Sequence, residues 1–298
     1  MSSELAHTSV LFDEVIEALR PRPAVGFRAL DATVGGGGHS FGLLERSTPD
    51  GVLTGLEVDP GSLALASVRL ASFSGRFTLL QRNFADLAEL QLEPFDAIVF
   101  DLGLSSPQLD AAGRGFSFRF DEPLDMRFDP AADRATAADL LNALPEVELE
   151  RIFRAFGEEP RARRLARSVV MRRTRAPLLR TGDLVSAVTA ALGPARGRIH
   201  PATRAFQALR IAVNNELEAL ERGLDAAIEL LRPEGRLAAI SFHSLEDRIV
   251  KWRLRGWADA GRATILTRKP ILPTDDEVSR NPRARSAKLR VAERTAHP

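Results

Sequence analysis

Asp31-Ala-Thr-Val-Gly35-Gly36-Gly37-Gly38-His39-Ser40 is the stretch that decides the fold. A short buried strand is predicted just before it, and a helix is predicted to begin at Ser40 just after it. A strand, a run of glycines and a helix make a tight turn in which backbone can approach a ligand closely. Asp31 stands at the carboxyl end of the strand, where open α/β sheets place their ligands. The alternative is a glycine turn that joins strand to helix without a ligand.

An acidic residue follows the glycine run at an informative distance. The turn lacks the Lys-Ser/Thr ending of a P-loop, which disfavours a nucleoside triphosphate, and it is also not a spaced GxGxxG. Glu57 ends the next predicted strand, residues 52–58, roughly 20 residues past the glycines, the spacing typical of an acid that bonds a ribose hydroxyl. The two features predict an adenosine-containing cofactor and leave NAD and S-adenosylmethionine open.

The composition bounds the remaining possibilities. With 298 residues, 44% of them hydrophobic and 27% charged, the chain is long enough for one or two globular domains. A net charge of +1 means that any nucleic-acid surface must be local. The chain has no cysteine, which excludes disulfides and thiolate catalysis, and we expect no metal site. No signal-peptide pattern or membrane-length apolar run is present, so we expect a cytoplasmic protein.

The order of elements predicts a doubly wound α/β sheet. Strands are predicted at residues 52–58, 77–81 and 95–101, alternating with helices, after a first helix over residues 7–20. Beyond Asp101 this alternation stops, and from residue 137 to about 192 only helical periodicity appears, with Thr136 as the N-cap. A segment of that length is far longer than an ordinary loop, so we predict an inserted helical domain.

The α/β pattern then returns. An apolar stripe predicts one long helix, formed by Phe206, Leu209, Val213, Leu217, Leu220 and Leu224. A strand at 236–243, a helix at 245–255 and two final strands at 263–269 and 287–292, antiparallel to each other, complete the pattern. Such an ending is more typical of a methyltransferase than of a dehydrogenase. The predicted domains are 1–108 with 205–298 for the sheet, and 109–204 for the insertion.

Several motifs together give a family resemblance. They are His7-Thr-Ser-Val-Leu11, Asp31 to Ser40, Asp101-Leu-Gly-Leu-Ser-Ser-Pro-Gln-Leu-Asp110, Gly115-Phe-Ser-Phe118, Pro123-Leu-Asp-Met-Arg127, His200-Pro-Ala-Thr-Arg204 with Phe206-Gln207, Ser241-Phe-His-Ser-Leu-Glu-Asp-Arg248 and Asn281-Pro-Arg-Ala-Arg-Ser286. On these residues the chain resembles the RsmH (MraW) family of methyltransferases over nearly its whole length. One departure is Glu57, where the family usually has Asp.

The resemblance implies a class I (Rossmann-like) S-adenosylmethionine-dependent methyltransferase sheet with an inserted all-helical domain that helps to hold RNA. The implied activity is methylation of N4 of a specific cytidine in 16S ribosomal RNA, in the decoding region. The implied partner is 16S rRNA or the small ribosomal subunit, and a homodimer is left open. The implied cofactor contacts are Gly37, Gly38, His39, Glu57, Phe84, Asp101 and Gln108.

Each of these residues has an alternative interpretation. Phe84 suits the adenine face, and the alternative is an ordinary core residue after the third strand. His39 could instead bond backbone at the helix start. A side chain at Gly37 is expected to fill the space meant for the cofactor. Asp101 is the candidate catalytic residue, placed with the Ser105-Ser106-Pro107 loop where cofactor and acceptor meet; alternatively it only positions the methionine amine. Asp125 is a second candidate.

RNA contact is predicted to be local. Residues 151–180 contain ten arginines and two acidic residues, a cluster suited to phosphate binding or, alternatively, a solvated helical face. A second basic group is formed by Arg280, Arg283, Arg285, Lys288 and Arg290. Phe116, Phe118 and Phe120 are candidates either for base stacking or for core packing.

Three other functions fit parts of the sequence. They are a nicotinamide-dependent oxidoreductase on the same Rossmann fold, a non-catalytic RNA-binding protein, and a methyltransferase that acts on a protein or small molecule. The absence of GxGxxG disfavours the first, the intact glycine turn with Glu57 disfavours the second, and the third leaves the arginine cluster unexplained.

Overall fold

The computed structural model describes residues 9–23, 26–105, 108–109, 113–194 and 200–296. The chain divides into two compact units, Met1–Pro107 with Leu217–Pro298, and Gln108–Glu216. The first boundary lies within one residue of the expected one, but the chain returns to the first unit at Leu217 rather than at residue 205. The reason is that the helix Ala202–Asn214 packs against helices of the second unit.

The first unit is built on a seven-stranded sheet. Its strands are β1 Arg28–Asp31, β2 Val52–Glu57, β3 Phe77–Gln81, β4 Phe95–Asp101, β5 Leu231–Ser241, β6 Ala263–Ile265 and β7 Lys288–Arg294. The order is β3-β2-β1-β4-β5-β7-β6, with parallel pairing except at β7, which is antiparallel to both of its neighbours. The predicted α/β sheet with an antiparallel ending is therefore confirmed.

The helices follow the same division. Those of the first unit are α1 Phe12–Leu19, α2 Gly38–Arg46, α3 Pro60–Arg69, α9 Glu216–Leu230, α10 Ser244–Asp259 and α11 Asp275–Arg280. Those of the second unit are α4 Ala137–Ala143, α5 Glu146–Ala155, α6 Ala162–Arg173, α7 Thr181–Leu192 and α8 Ala202–Asn214. Thr136 caps α4 as predicted, since its side chain accepts from the Asp139 amide while the Asp139 carboxylate accepts from the Thr136 amide.

The core lies on both faces of the sheet. Along β4, Ile98 and Phe100 pack into one cluster, which includes Leu224 of α9. Val99 points to the other face, into a cluster with Leu43 of α2. A central parallel strand must be apolar on both sides, and this explains why β4 is a continuous apolar run in the sequence.

Several predicted elements have different bounds in the structure; the strand predicted at 263–269, for example, ends at Ile265. The stripe from Phe206 to Leu224 lies on two helices, because Asn215 adopts a left-handed conformation (φ 52°) between α8 and α9. The first helix begins at Phe12, after Leu11 with φ 52°, and residues 1–8 lie outside the described part. The strand predicted at 236–243 begins earlier, at Leu231, with a register irregularity opposite Phe95.

In the second unit, an irregular segment is fixed by a buried amide. The Asn214 side chain of α8 accepts from the Phe128 amide at 2.8 Å and donates to the Met126 carbonyl at 2.7 Å. It also donates to the carbonyl of Arg210, one turn back along α8. The hydrogen bonds of an otherwise loop-like segment are thus supplied by a helix, as burial of backbone requires.

No helix among the described residues has the length and apolarity needed to cross a membrane.

Candidate active site

The glycine loop is tied down by Asp31 at the end of β1. Its Oδ1 accepts from the Thr33 amide at 3.1 Å, and its Oδ2 accepts from the Ser40 hydroxyl at 2.6 Å. Asp31 is buried, and burial raises the pKa of its carboxyl to about 6. Both oxygens are engaged within the loop, so Asp31 holds the turn in shape rather than facing a ligand.

The glycines of the loop differ in backbone conformation and in the space around them. Gly35 and Gly37 adopt φ of +52° and +78°, a region that side chains disfavour. A Cβ at Gly37 would lie 3.2 Å from the Ala66 Cα of α3, so the crowding expected there comes from α3 and not from a ligand space. A Cβ at Gly36 would have no atom of the described residues within 4 Å. Gly36 therefore marks the open side of the loop.

Glu57, at the end of β2, joins that strand to the glycine loop. Its Oε2 accepts from the Gly35 amide at 2.8 Å, and its Oε1 accepts from the Asp59 amide at 2.9 Å. Burial raises the pKa of this carboxyl to about 7. Each carboxylate oxygen has a second acceptor site, which can receive a ribose hydroxyl. The longer Glu side chain thus supports the loop and keeps its acceptor capacity.

Phe84 starts the 3₁₀ turn Phe84–Glu89 that follows β3. Its ring packs edge-on against Phe100, with 5.6 Å between ring centroids. On another side α9 approaches so closely that a Cβ at Gly223 would lie 2.7 Å from the ring Cδ2. The ring is partly buried, so it is held by the core and still offers an accessible part.

Asp101 ends β4, and its backbone amide donates to the Thr33 hydroxyl at 2.6 Å. Its Oδ2 lies 3.5 Å from Nδ1 of His39, and its side chain is 26% exposed. The other oxygen, Oδ1, is buried and has no hydrogen-bond partner among the residues that the structure describes. Such an atom is costly unless a ligand supplies a donor.

Two other acidic side chains, Asp31 and Glu246, lie close enough to Asp101 to act on it electrostatically. Burial, then the charges of Asp31 and Glu246, raise the pKa of Asp101 well above its ordinary value. Burial lowers the pKa of His39 to about 4, which makes this ring neutral and unable to compensate. A group of carboxyls of this kind favours a cationic ligand, because a nearby positive charge stabilises their ionised form. S-adenosylmethionine, with its sulfonium and ammonium groups, fits this requirement.

Sequence reasoning did not single out Glu246 as a site residue. It is buried, and its Oε2 accepts from the Phe242 amide at 2.8 Å and from the His243 amide at 3.2 Å. His243 caps α10 in return, which makes a capping box within the Ser241-to-Arg248 motif. A Glu three residues after a capping residue was the available signal.

Other candidate residues are placed less directly. Gln108 is buried in the second unit. Both Asp125 oxygens accept from Arg127 at 2.8 Å. Burial alone would raise the Asp125 pKa, but these hydrogen bonds outweigh it and lower the pKa, which favours a structural role. Ser105 Oγ lies 3.2 Å from Ser62 Oγ, while Ser106 and Pro107 lie outside the described residues.

The aromatic and basic candidates separate into groups. Phe116 is buried, and Phe118 packs against His200 and Phe206, whereas Phe120 is 73% exposed. In the second basic group, Arg290 and Lys288 both pair with Asp247, at 2.7 and 3.2 Å. Two of the three phenylalanines and part of this basic group therefore serve the fold.

The sheet order and the site together define a class of protein. A glycine turn after β1, an acid at the end of β2 and a carboxyl at the end of β4 meet at the carboxyl edge of the sheet, where α/β folds bind nucleotide cofactors. The antiparallel β7 between β5 and β6 completes the class I S-adenosylmethionine-dependent methyltransferase fold.

Within this class, residues 4–295 match the MraW methylase family, and the chain belongs to that family. A protein of Synechococcus sp. named ribosomal RNA small subunit methyltransferase H is 52% identical over 305 residues, covering 97% of this chain and 95% of that protein. Proteins of the same name from Heliobacterium modesticaldum and Geobacter sulfurreducens are 50% and 49% identical, and the alignments cover 97% of this chain and 98% and 99% of those proteins.

Membership of a methylase family excludes two of the three other functions that fit parts of the sequence. The protein is a methyltransferase and its methyl donor is S-adenosylmethionine, so the nicotinamide-dependent oxidoreductase and the non-catalytic RNA-binding protein are excluded.

Proposed function

We propose that the protein methylates N4 of a specific cytidine in the decoding region of 16S ribosomal RNA. The family and the relatives named for the small ribosomal subunit support an rRNA substrate. The observation that carries the chemistry is Asp101 Oδ1, a buried acceptor without a partner among the described residues, at the carboxyl end of β4.

The proposed cofactor contacts are Gly37, Gly38, His39, Glu57, Phe84, Asp101 and Gln108. In this assignment Glu57 accepts from the ribose, because its two oxygens are fixed by backbone amides and keep free acceptor sites. Phe84 covers the adenine, since its ring is locked against Phe100. Asp101 accepts from the methionine ammonium. When bound, S-adenosylmethionine supplies an electrophilic methyl group on its sulfonium.

The acceptor must be oriented as well as bound. The exocyclic amine of cytosine is a poor nucleophile, because its lone pair is conjugated with the ring. The protein must hold this nitrogen about 3–3.5 Å from the methyl carbon, with acceptors at its N–H groups that favour the developing charge. Asp101 is also our candidate for this role, and its two roles have different kinetic consequences.

The decisive experiment compares ribosomal RNA from a deletion strain and from the same strain carrying the parent gene. Nucleoside mass spectrometry should show N4-methylated cytidine only in the complemented strain, and fragment mapping should place it in 16S rRNA. A methyl group on another nucleoside, or no change in rRNA, would reject the proposal. Free 16S rRNA and assembled small subunits, compared in vitro, identify the substrate form.

Two further expectations belong to this proposal. We expect the protein to work in the cytoplasm, where its substrate is made, and a homodimer stays a prediction. Cell fractionation and light scattering of the purified protein test them separately.

A further inference from the structure

The structure separates the ten arginines of residues 151–180 into two groups. Five are engaged with protein groups: Arg151 with Glu148, Arg154 with Glu150, Arg161 with Glu159 and the Leu192 carbonyl, Arg173 with the carbonyls of Leu141 and Leu144, and Arg180 with Asp121. The side chains of the other five are exposed and have no partner within the described part of the chain: Arg163, Arg164, Arg167, Arg172 and Arg175. Contacts within the protein therefore explain only half of this arginine cluster.

Four of the five unpaired arginines share one concave surface. Arg164, Arg167 and Arg172 lie on α6 and Arg175 lies in the turn after it, and all four line a cavity of about 550 Å³. We call this the α6–α7 groove; its other lining residues are Ser168, Met171, Ala176, Pro177, Asp183, Ala190 and Ala191. The volume lies in the range of roughly 300–1,000 Å³ found for small-ligand sites.

The groove combines cations with an apolar wall. Met171 is 56% exposed within it, beside Pro177 and Ala190. Its acidic member, Asp183, already accepts from the amides of Leu179 and Arg180 at the start of α7. Four exposed guanidiniums therefore line one cavity together with an exposed thioether, an arrangement that a solvated helical face does not require.

We propose that the α6–α7 groove binds an unpaired segment of the RNA substrate. Its arginines contact successive phosphates, and a base lies against Met171 and Pro177. Sequence-specific RNA-binding proteins mostly recognise unpaired strands, whose bases can unstack and enter a cavity. Guanidiniums match phosphate geometry with paired N–H donors. The inference rests on the proposed function in taking RNA as the ligand.

The test compares two triple variants that lose the same charge from the same unit. The groove variant carries Arg164→Ala, Arg167→Ala and Arg172→Ala. The control carries Arg151→Ala, Arg154→Ala and Arg163→Ala, all exposed and none lining the groove. Circular dichroism should show both folded, because all six side chains are on the surface.

Binding is measured by fluorescence anisotropy with a labelled single-stranded fragment of 16S rRNA and with the same sequence as a duplex, at several salt concentrations. The groove variant should bind the single strand at least about tenfold more weakly, and its slope against log salt should fall by about 2, since each lost phosphate contact removes about 0.7. The control should change both quantities less. Equal losses of RNA affinity in the two triple variants would show that the groove is not the binding site. Equal losses for single strand and duplex would show that the ligand is not an unpaired segment.

The apolar wall has its own variants. Met171→Ala should weaken binding of the single strand by a few fold, while Met171→Leu, which keeps the volume, should not. If neither variant changes binding, the base contact is absent and the groove reads phosphates alone, which contradicts the proposal.

Failure of this inference is distinguishable from failure of the proposed function. If the parent enzyme methylates no small-subunit RNA, the proposed function fails. If the parent methylates it and the groove variant keeps the parent KM for RNA, the groove is wrong. Binding of S-adenosylhomocysteine, measured by calorimetry, should be unchanged in both triples. A groove variant that binds RNA normally but loses an acidic protein partner would also overturn the proposal.

Discussion

His39 Nδ1 lies 3.5 Å from Asp101 Oδ2, while Nε2 of the same ring lies 3.1 Å from the carbonyl oxygen of Val10. A carbonyl can only accept, so the proton of the neutral ring is assigned to Nε2, and Nδ1 presents a lone pair to the carboxyl. Two acceptors facing each other repel, unless Asp101 is protonated. Burial, with the charges of Asp31 and Glu246, raises the pKa of Asp101, so both the contact geometry and the electrostatics favour the protonated carboxyl before a cationic ligand binds.

Cofactor binding should therefore release a proton. The ammonium of S-adenosylhomocysteine favours ionised Asp101, so affinity should rise with pH until the Asp101 carboxyl is ionised without ligand. Calorimetry in buffers of different ionisation enthalpy measures the released proton. Asp101→Asn should remove it, whereas Asp50→Asn, at an exposed position, should keep the parent behaviour. An unchanged pH dependence in Asp101→Asn would contradict the assignment.

The same substitution separates the two roles of Asp101. If Asp101 grips the donor, loss of a charge-assisted hydrogen bond should weaken S-adenosylmethionine by about tenfold to a hundredfold, and saturating donor should restore the rate. We expect the loss of affinity for S-adenosylmethionine, because Asp101 Oδ1 has no hydrogen-bond partner among the described residues and can accept from the methionine ammonium. Single-turnover methylation across a donor titration provides the measurement. A rate still reduced by about 10²-fold at saturation would place Asp101 in the transfer step.

Adjacent glycines should respond differently to substitution. Gly36→Val should lose cofactor affinity with little change in stability, because a side chain there enters open space, which we assign to the cofactor. Gly37→Ala should lower the free energy of unfolding by about 1–3 kcal/mol, because its φ is positive and Ala66 crowds its Cβ. Denaturant unfolding and calorimetry on both proteins check this. Equal behaviour of the two variants would show that the open side was misassigned.

Glu57 should give the apo protein an unusual pH dependence. Its pKa is about 7 in the fold, against 4.5 ordinarily, so the folded state binds the proton more tightly and this group lowers stability as pH rises from about 4.5 to 7. In Glu57→Gln that contribution is absent. The stability of the variant relative to the parent should thus increase over this window, by about 1–3 kcal/mol at most. Unfolding curves at pH 5 and pH 8 measure it, and a constant difference would contradict it.

In the second unit, Asn214 should be the most sensitive polar side chain of α8. Asn214→Ala leaves the Phe128 amide and the Met126 carbonyl without their partner. Unpaired buried groups cost about 1–3 kcal/mol, so the free energy of unfolding should fall by about that amount. Hydrogen exchange should show increased exchange around residues 126–128 before the helices open. Unchanged protection there would mean that the segment does not depend on Asn214.

The sequence predicted the sheet well, because its strands carry unambiguous signals. β4 coincides with the predicted residues 95–101, since a strand covered on both faces leaves a continuous apolar run bounded by polar residues. The break at Asn215 was not predictable in this way. An apolar stripe reports which face of a helix is buried, and it continues across a single left-handed residue without a change in spacing.

The site was predicted in composition and less in geometry. The motif containing Gly37 was recognised, but only the structure shows that α3, and not the cofactor side, restricts that glycine. Likewise, the sequence alone does not distinguish the ten arginines of residues 151–180 from one another. Which of them are paired depends on carbonyls and carboxylates contributed from elsewhere in the fold, such as Leu141 for Arg173 and Asp121 for Arg180.

The central pairing of the sheet has a consequence for folding. β4 and β5 are neighbours, with Phe100 opposite Ala239, yet the whole second unit is encoded between them. Closing so long a loop carries an entropic cost that an unfolded intervening segment would bear in full. The helices of the second unit make contacts closer in sequence, which form faster. Once compact, they would shorten the effective distance between β4 and β5, so we expect the inserted unit to form before the pairing of β4 with β5 is complete.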